Sequence, residues 1–365
     1  MAERMTYRER FVRHMHFQPV DRAPYYEWLG WWPTTINEWH KQGLPRDVHV
    51  WAYFGFDRRE GVPLNFGFLP PYDVEVIEET EKYRVYRDGR GIVKREFKDD
   101  PGRSMPEWLD FPLKTRLDWE DMKRRLNPES PARYPMWWED LKRCYEGRDY
   151  PLGIHTGSLY GWTRDLMGVE RISYMLYDDP GFVEEIMEYW TEFVLAVIRR
   201  AVEEVDIDYA HFWEDMCYNA GPLISPEMFE KLMVPRYKRI TEFLRSHGID
   251  IIMVDSDGDI RQLVPLWLEA GINCFYPLER ASNVDPVELR KQYGKDILLI
   301  GGVDKRALKG DKREIEKEVE RLVPLVEEGG FIFSVDHCVP PDVPLRNYEY
   351  YLELVRKANE GRFGA

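Results

Sequence analysis

Five short acidic runs stand out in the second half of the chain: Glu214-Asp215, Asp255-Ser256-Asp257-Gly258-Asp259, Glu279-Arg280, Asp304-Lys305 and Asp336-His337-Cys338. Asp255 and Asp257 sit two apart behind an apolar run, Ile251 to Val254, so both can face one side of a strand end. Paired carboxylates beside a histidine suit two kinds of chemistry. In proton transfer, like charges raise one carboxyl pKa, so that an acid persists near neutrality while His337 supplies or orients a second proton. In metal binding, Glu214, Asp255, Asp257 and His337 offer an oxygen-rich set with one imidazole, suited to a divalent cation. The residue types leave both open, as well as a site that needs no cofactor. Asp259, Glu279 and Asp304 are expected to serve as helix N-caps. His14, His16, His40, His49, His211 and His247 are read as structural, and Cys217 and Cys338 receive no role.

Something must bring these runs to one place, and the rhythm of the chain supplies it. Short runs rich in Ile, Val, Phe or Tyr fall at 150–155, 206–213, 249–254, 272–276, 297–300 and 331–335, as expected of strands buried on both faces of a parallel sheet. Between them lie helical patterns at 181–205, from Ser225-Pro226-Glu227 to His247-Gly248, and at 260–270, 286–293, 312–328 and 345–358. Residues 22–28 would supply a first strand after a helical N-terminus, and 64–68 an eighth. Strict alternation around Arg87-Asp88-Gly89-Arg90-Gly91 marks an antiparallel meander inserted at about 70–100. The expected fold is α/β, one (β/α)8 TIM barrel over residues 1–365 with an N-terminal helical extension. An open doubly wound sheet fits less well, because no G-x-G-x-x-G follows any strand.

Active sites of such barrels lie at the C-terminal strand ends. Glu214, Asp255, Asp257 and His337 are therefore the expected catalytic residues, with Asp255, Asp257 and His337 as the metal set. Tyr26, Trp28, Trp31, His155, Tyr160 and Asp215 would line the substrate. With 51 basic and 66 acidic residues among 365, the net charge is −15, which argues against nucleic acid and anionic lipid as partners. Four scattered cysteines without a C-x-x-C pair suggest a reducing cytoplasm, and no run approaches the roughly 18 apolar residues of a membrane span.

Four segments carry a family resemblance: Gly157-Ser158-Leu159-Tyr160; Glu214 to Pro222 with Ser225-Pro226-Glu227 and Pro235; Leu299 to Asp304; and Val335 to Pro344. With Val20-Asp21-Arg22-Ala23-Pro24 they resemble the uroporphyrinogen decarboxylase superfamily, which includes haem-pathway decarboxylases and corrinoid-linked methyltransferases. The resemblance implies a (β/α)8 barrel, a homodimer, a small-molecule substrate and, in the methyltransferase branch, a corrinoid protein as partner. The decarboxylases' Met-Arg-Gln-Ala-Gly-Arg motif is replaced by Tyr26-Glu27-Trp28-Leu29-Gly30-Trp31, without either arginine. Their central aspartate has no equivalent near Asn65-Phe66-Gly67, and their tyrosine falls near Asp165, while their histidine is matched by His337. The methyltransferases' His-x-Cys-Gly motif is matched by Asp255-Ser256-Asp257-Gly258, and their later zinc-ligand Cys, shortly before Pro-Pro, by His337. Methyl transfer is the expected reaction, decarboxylation the alternative, and a non-catalytic ligand-binding barrel a third reading.

Overall fold

Each β-branched and aromatic run of the second half forms a strand in the computed structural model, which describes residues 4–98 and 105–364. In chain order the strands are β1 (Glu60–Gly61), β2 (Glu75–Glu79), β3 (Tyr83–Arg87), β4 (Val93–Phe97), β5 (Glu107–Asp110), β6 (Leu152–His155) and β7 (Tyr209–Trp213). There follow β8 (Cys217–Tyr218), β9 (Gly221–Pro222), β10 (Ile252–Asp255), β11 (Cys274–Tyr276), β12 (Leu298–Ile300) and β13 (Phe331–Ile332). One parallel sheet takes the order β1-β6-β7-β10-β11-β12-β13, curled as the wall of a TIM barrel. Its register sets His155 beside His211, Met253 beside both His211 and Cys274, and Asp255 beside both Trp213 and Tyr276.

The core has two layers. Tyr26, Trp28, Tyr209, Met253, Tyr276, Ile300 and Ile332 fill the barrel with Phe11 and Met15 from the helix Tyr7–Met15. That helix plugs the N-terminal end, where His14 Nε2 meets the Phe331 carbonyl at 2.7 Å and Gly330 N–H donates to the His14 carbonyl. Outside the sheet, helices pack apolar stripes, as Pro180–Glu204 does with Phe182, Val183, Ile186, Met187 and Trp190. Asp179 caps that helix and Pro180 begins it. Among the described residues no helix is long and apolar enough to cross a membrane.

Several expectations need correction. Residues 22–28 join no ladder among the described residues. Pro24 has no N–H to give, and side chains take the bonds instead: Tyr25 N–H donates to Asp57, and Trp28 N–H to Ser334 Oγ at 2.9 Å. The segment thus closes the barrel between residue 57 and residue 334. The remaining strand is Glu60–Gly61, not 64–68, because Asn65 folds back to accept from Gly67 N–H and Arg133 donates to the Asn65 carbonyl. The meander has a fourth strand, β5, beyond the expected span, whose residues 99–100 lie outside the described residues. Prolines split two expected helices into Pro226–Leu232 with Val234–Ser246 and Lys312–Glu320 with Val323–Glu328, and shorten a third to Val264–Glu269.

Candidate functional site

At the end of β10, Asp255 follows the inward alternation of Ile251 and Met253 and reaches the mouth of the barrel. No donor among the described residues meets its carboxyl. Burial, then the negative charges of Asp257 and Asp215, hold its pKa well above the ordinary carboxyl range, which favours its protonated form.

Two residues on, Asp257 meets the residues that follow β11 and β13. One ligand atom each from Asp257, Glu279 and His337 lie within 4.8 Å of one another. His337 Nε2 is 3.2 Å from Asp257 Oδ2, and its ring stacks on Trp32 with centroids 5.5 Å apart. Burial alone would lower the His337 pKa; the hydrogen bond and charge of Asp257 outweigh it and raise it. Gly258 makes the bend that joins these loops. Its φ is +77°, its N–H donates to Glu279 Oε2 at 3.0 Å, and a Cβ there would lie 2.7 Å from the backbone of Cys217 and Tyr218. Lys305 Nζ stands 3.3 Å from Glu279 Oε1 and offsets part of the charge.

A second set of carboxylates lies beneath this rim. Glu214 is fully buried and accepts from the N–H groups of Leu159, Tyr160 and Gly161, from Ser158 Oγ and from Tyr237 Oη at 2.6 Å. Glu27, also fully buried, accepts from Ser334 Oγ, Val335 N–H and Tyr348 Oη, and burial pushes its pKa up to about 7. Asp336 accepts from the N–H groups of Arg280 and Lys305, with burial pushing it up to about 6. These three acids tie mouth loops to one another.

The structure therefore brings Asp257 and His337 together but not all of the expected set. Glu214 points into the loop above β6, and Asp255 stands outside the three-residue group, where Glu279 takes the third position. Glu279 precedes the turn Arg280–Ser282 but makes no side-chain capping bond to it, contrary to expectation. Asp259 and Asp304 keep local roles, paired with Arg261 and Arg306. Of the expected walls, Tyr26 and Trp28 pack inside the barrel, Tyr160 is fully buried, and Trp31 packs outward among Trp39, Trp51, Phe54 and Tyr348. Trp32, not Trp31, faces the rim. Asp215 pairs with Arg164 at 2.8 Å, and His155 lies ring to ring with His211 at 4.9 Å. Sequence reasoning missed Glu279, Trp32 and Arg59, whose guanidinium lies 4.0 Å over the Trp28 ring. Trp32 adjoins Trp31, and Glu279 belongs to one of the acidic strand-end runs but was read as a cap, whereas nothing in Asp57-Arg58-Arg59-Glu60 marks one arginine over the other.

Comparison with known proteins bears on this geometry. Residues 105–358 match the family described as Uroporphyrinogen decarboxylase (URO-D). Uroporphyrinogen decarboxylases of Helicobacter acinonychis and Thermus thermophilus are 26% and 25% identical, covering 50% and 51% of this chain and 50% and 52% of theirs. That of Syntrophotalea carbinolica is 24% identical over 69% of this chain and 72% of its own. The chain spans about half the length of most of these relatives. A solved methyltransferase from Methanosarcina mazei shares the fold, with a TM-score of 0.62 over 97% of this chain and 98% of that one at 16% identity.

Proposed function

The chain belongs to the uroporphyrinogen decarboxylase family, and from that premise we propose that it is a methyltransferase of the corrinoid-linked type, acting on a small organic substrate at the rim. The observation that carries this reading is the convergence of Asp257, Glu279 and His337 ligand atoms within 4.8 Å at the C-terminal mouth. The family's methyltransferase branch implies zinc held by sulfur and imidazole. Here the donors are two carboxylates and one imidazole, which fit a divalent cation of harder preference, such as manganese, or zinc with oxygen ligands. Asp257, Glu279 and His337 would hold it. A bound cation would supply Lewis acidity, lowering the pKa of an acceptor group brought to it.

The other residues of the mouth have simpler tasks. Trp32 fixes the His337 ring from one face, and Trp28 packs beneath the mouth as its floor. Asp255, whose protonated form burial favours, is placed to donate a hydrogen bond to a substrate oxygen. The methyl donor would be a corrinoid on a partner protein that docks over the mouth.

One observation favours decarboxylation as a second reading: Asp255 stands at the mouth without a donor among the described residues and with its protonated form favoured by burial, which suits a proton source for a carbanion left by CO2 loss. Uroporphyrinogen itself fits poorly, since the positions of the family's arginines, Tyr26 to Trp31, carry no cation. Methylcobalamin with a panel of thiol, amine and phenol acceptors tests the proposal. Loss of the alkylcobalamin absorbance in wild type but not in His337→Ala is the expected result. No demethylation with any acceptor, together with CO2 release from a carboxylated substrate, would replace the first reading with the second.

A further inference from the structure

On the side of the barrel formed by β1, β6 and β7, an arginine is left without a counter-ion among the described residues. Arg59 donates through Nη2 to the Trp28 carbonyl at 2.6 Å and lies over the Trp28 ring, and among the described residues no carboxylate comes within ion-pair distance of it. The nearby carboxylates are already engaged: Asp57 by Arg22 at 2.9 Å, and Glu60 by Arg58 at 2.8 Å. A cleft of about 520 Å³ opens beside β1, lined by Trp51, Phe56, Arg59, Gly61, Tyr209 and His211 among others. Gly153 makes room there, since a Cβ at that position would lie 2.3 Å from the Tyr209 ring.

We infer that this cleft is an oxyanion subsite in which Arg59 binds one carboxylate of a substrate whose body is flat and apolar. The guanidinium fork matches a planar carboxylate in two parallel bonds. His211, with no hydrogen-bond partner of its own among the described residues, supplies a neutral N–H beside the cation; desolvation in the lumen keeps it uncharged, its pKa pushed down to about 3. His155 next to it also has a spare ring nitrogen, for its Nδ1 is buried and meets no partner. Of the two arginines that line the cleft, Arg58 is paired with Glu60, so Arg59 presents the one uncompensated positive charge there among the described residues, beside Asp57 and the neutral His211, which favours a monoanion over a phosphate dianion or a polycarboxylate. Trp51, Phe56 and Tyr209 supply apolar faces for the rest of the molecule. The inference deepens the proposed function by naming its substrate class, a small aromatic or apolar monocarboxylate, and rests on that reading only for the claim that this molecule reacts at the rim.

Calorimetric titration of the full chain with benzoate tests it, with benzamide as the neutral probe and inorganic phosphate as the alternative oxyanion. Wild type is expected to bind benzoate at least tenfold more tightly than either. Arg59→Gln should weaken benzoate at least tenfold, Arg59→Lys should fall between because it keeps the charge without the fork, and His337→Ala should bind as wild type does. Equal benzoate affinity in wild type and Arg59→Lys, tighter binding of phosphate or benzamide, or no benzoate binding at all would overturn the assignment. The lysine variant keeps the test decisive should the glutamine variant fold poorly. If wild type and His337→Ala bind benzoate equally while wild type demethylates methylcobalamin with no acceptor in the panel, the reaction assigned above fails and the subsite stands.

Discussion

The carboxylates that end the barrel strands divide into two regions that the primary structure does not distinguish. In the buried belt, Glu27, Glu214 and Asp336 spend their lone pairs on backbone N–H groups, hydroxyls and phenols of neighbouring loops. At the rim, Asp255 has no donor among the described residues, and Asp257, Glu279 and His337 mainly face one another. An acid whose oxygens are all satisfied positions loops. An acid left short of donors has capacity for a cation, a proton or a substrate. The comparison teaches that strand-end placement brings an acid to the mouth, while its hydrogen-bond account decides what it does there.

Substitutions should separate the regions. The largest effect is expected at Glu214, where Glu214→Ala would strand five buried donors and cost roughly 3–5 kcal/mol in urea unfolding. A loss below about 1 kcal/mol would erase the belt as a structural class. Next comes a pH effect. Glu27 is raised in the fold to about 7, so the stability tied to its protonated form is full below its unfolded pKa and lost as pH rises through the folded value. The stability of wild type relative to Glu27→Gln should therefore fall between about pH 5 and pH 8, by up to about 3 kcal/mol. A difference that rises with pH would reverse the assignment. His14, which burial lowers to about 4, titrates in the opposite sense and cancels in this difference.

At the rim the expected pattern inverts. Asp257→Asn and His337→Ala should leave unfolding free energy within about 1 kcal/mol of wild type while lowering turnover about a hundredfold, or about 2.7 kcal/mol of barrel-mouth chemistry. Smallest of all, Asp304→Ala removes a pairing with the exposed Arg306 and should cost no more than about 1 kcal/mol, without effect on turnover. A larger loss of turnover there would extend the rim beyond Glu279 and Lys305.

Much of the barrel was legible in the residues. The helix Pro286–Tyr293 begins at its proline and stops at Gly294 as the local signals predict. The strand runs were legible because burial on both faces requires continuous apolar residues. Residues 22–28 were legible as extended but not in how they bond, since their partners, Asp57 and Ser334, come from distant parts of the chain. At the site, Asp257 and His337 could be singled out because they follow strands. Glu214 could not be told from them, for four of its five donors come from a loop more than fifty residues earlier and the fifth, Tyr237, from a later helix. Trp31 and Trp32 differ by one position, and that single step of phase sends one into the outer packing and the other to His337. Which of Arg58 and Arg59 stays unpaired depends on where Glu60 folds, a tertiary outcome.

The account turns on the rim as the place where chemistry happens, and manganese titration of the metal-depleted full chain tests that most directly. It predicts one ion per chain in wild type and Glu27→Gln, bound at least tenfold more weakly by Asp257→Asn and His337→Ala. Equal binding by wild type and both rim variants, or no binding by wild type, would contradict it.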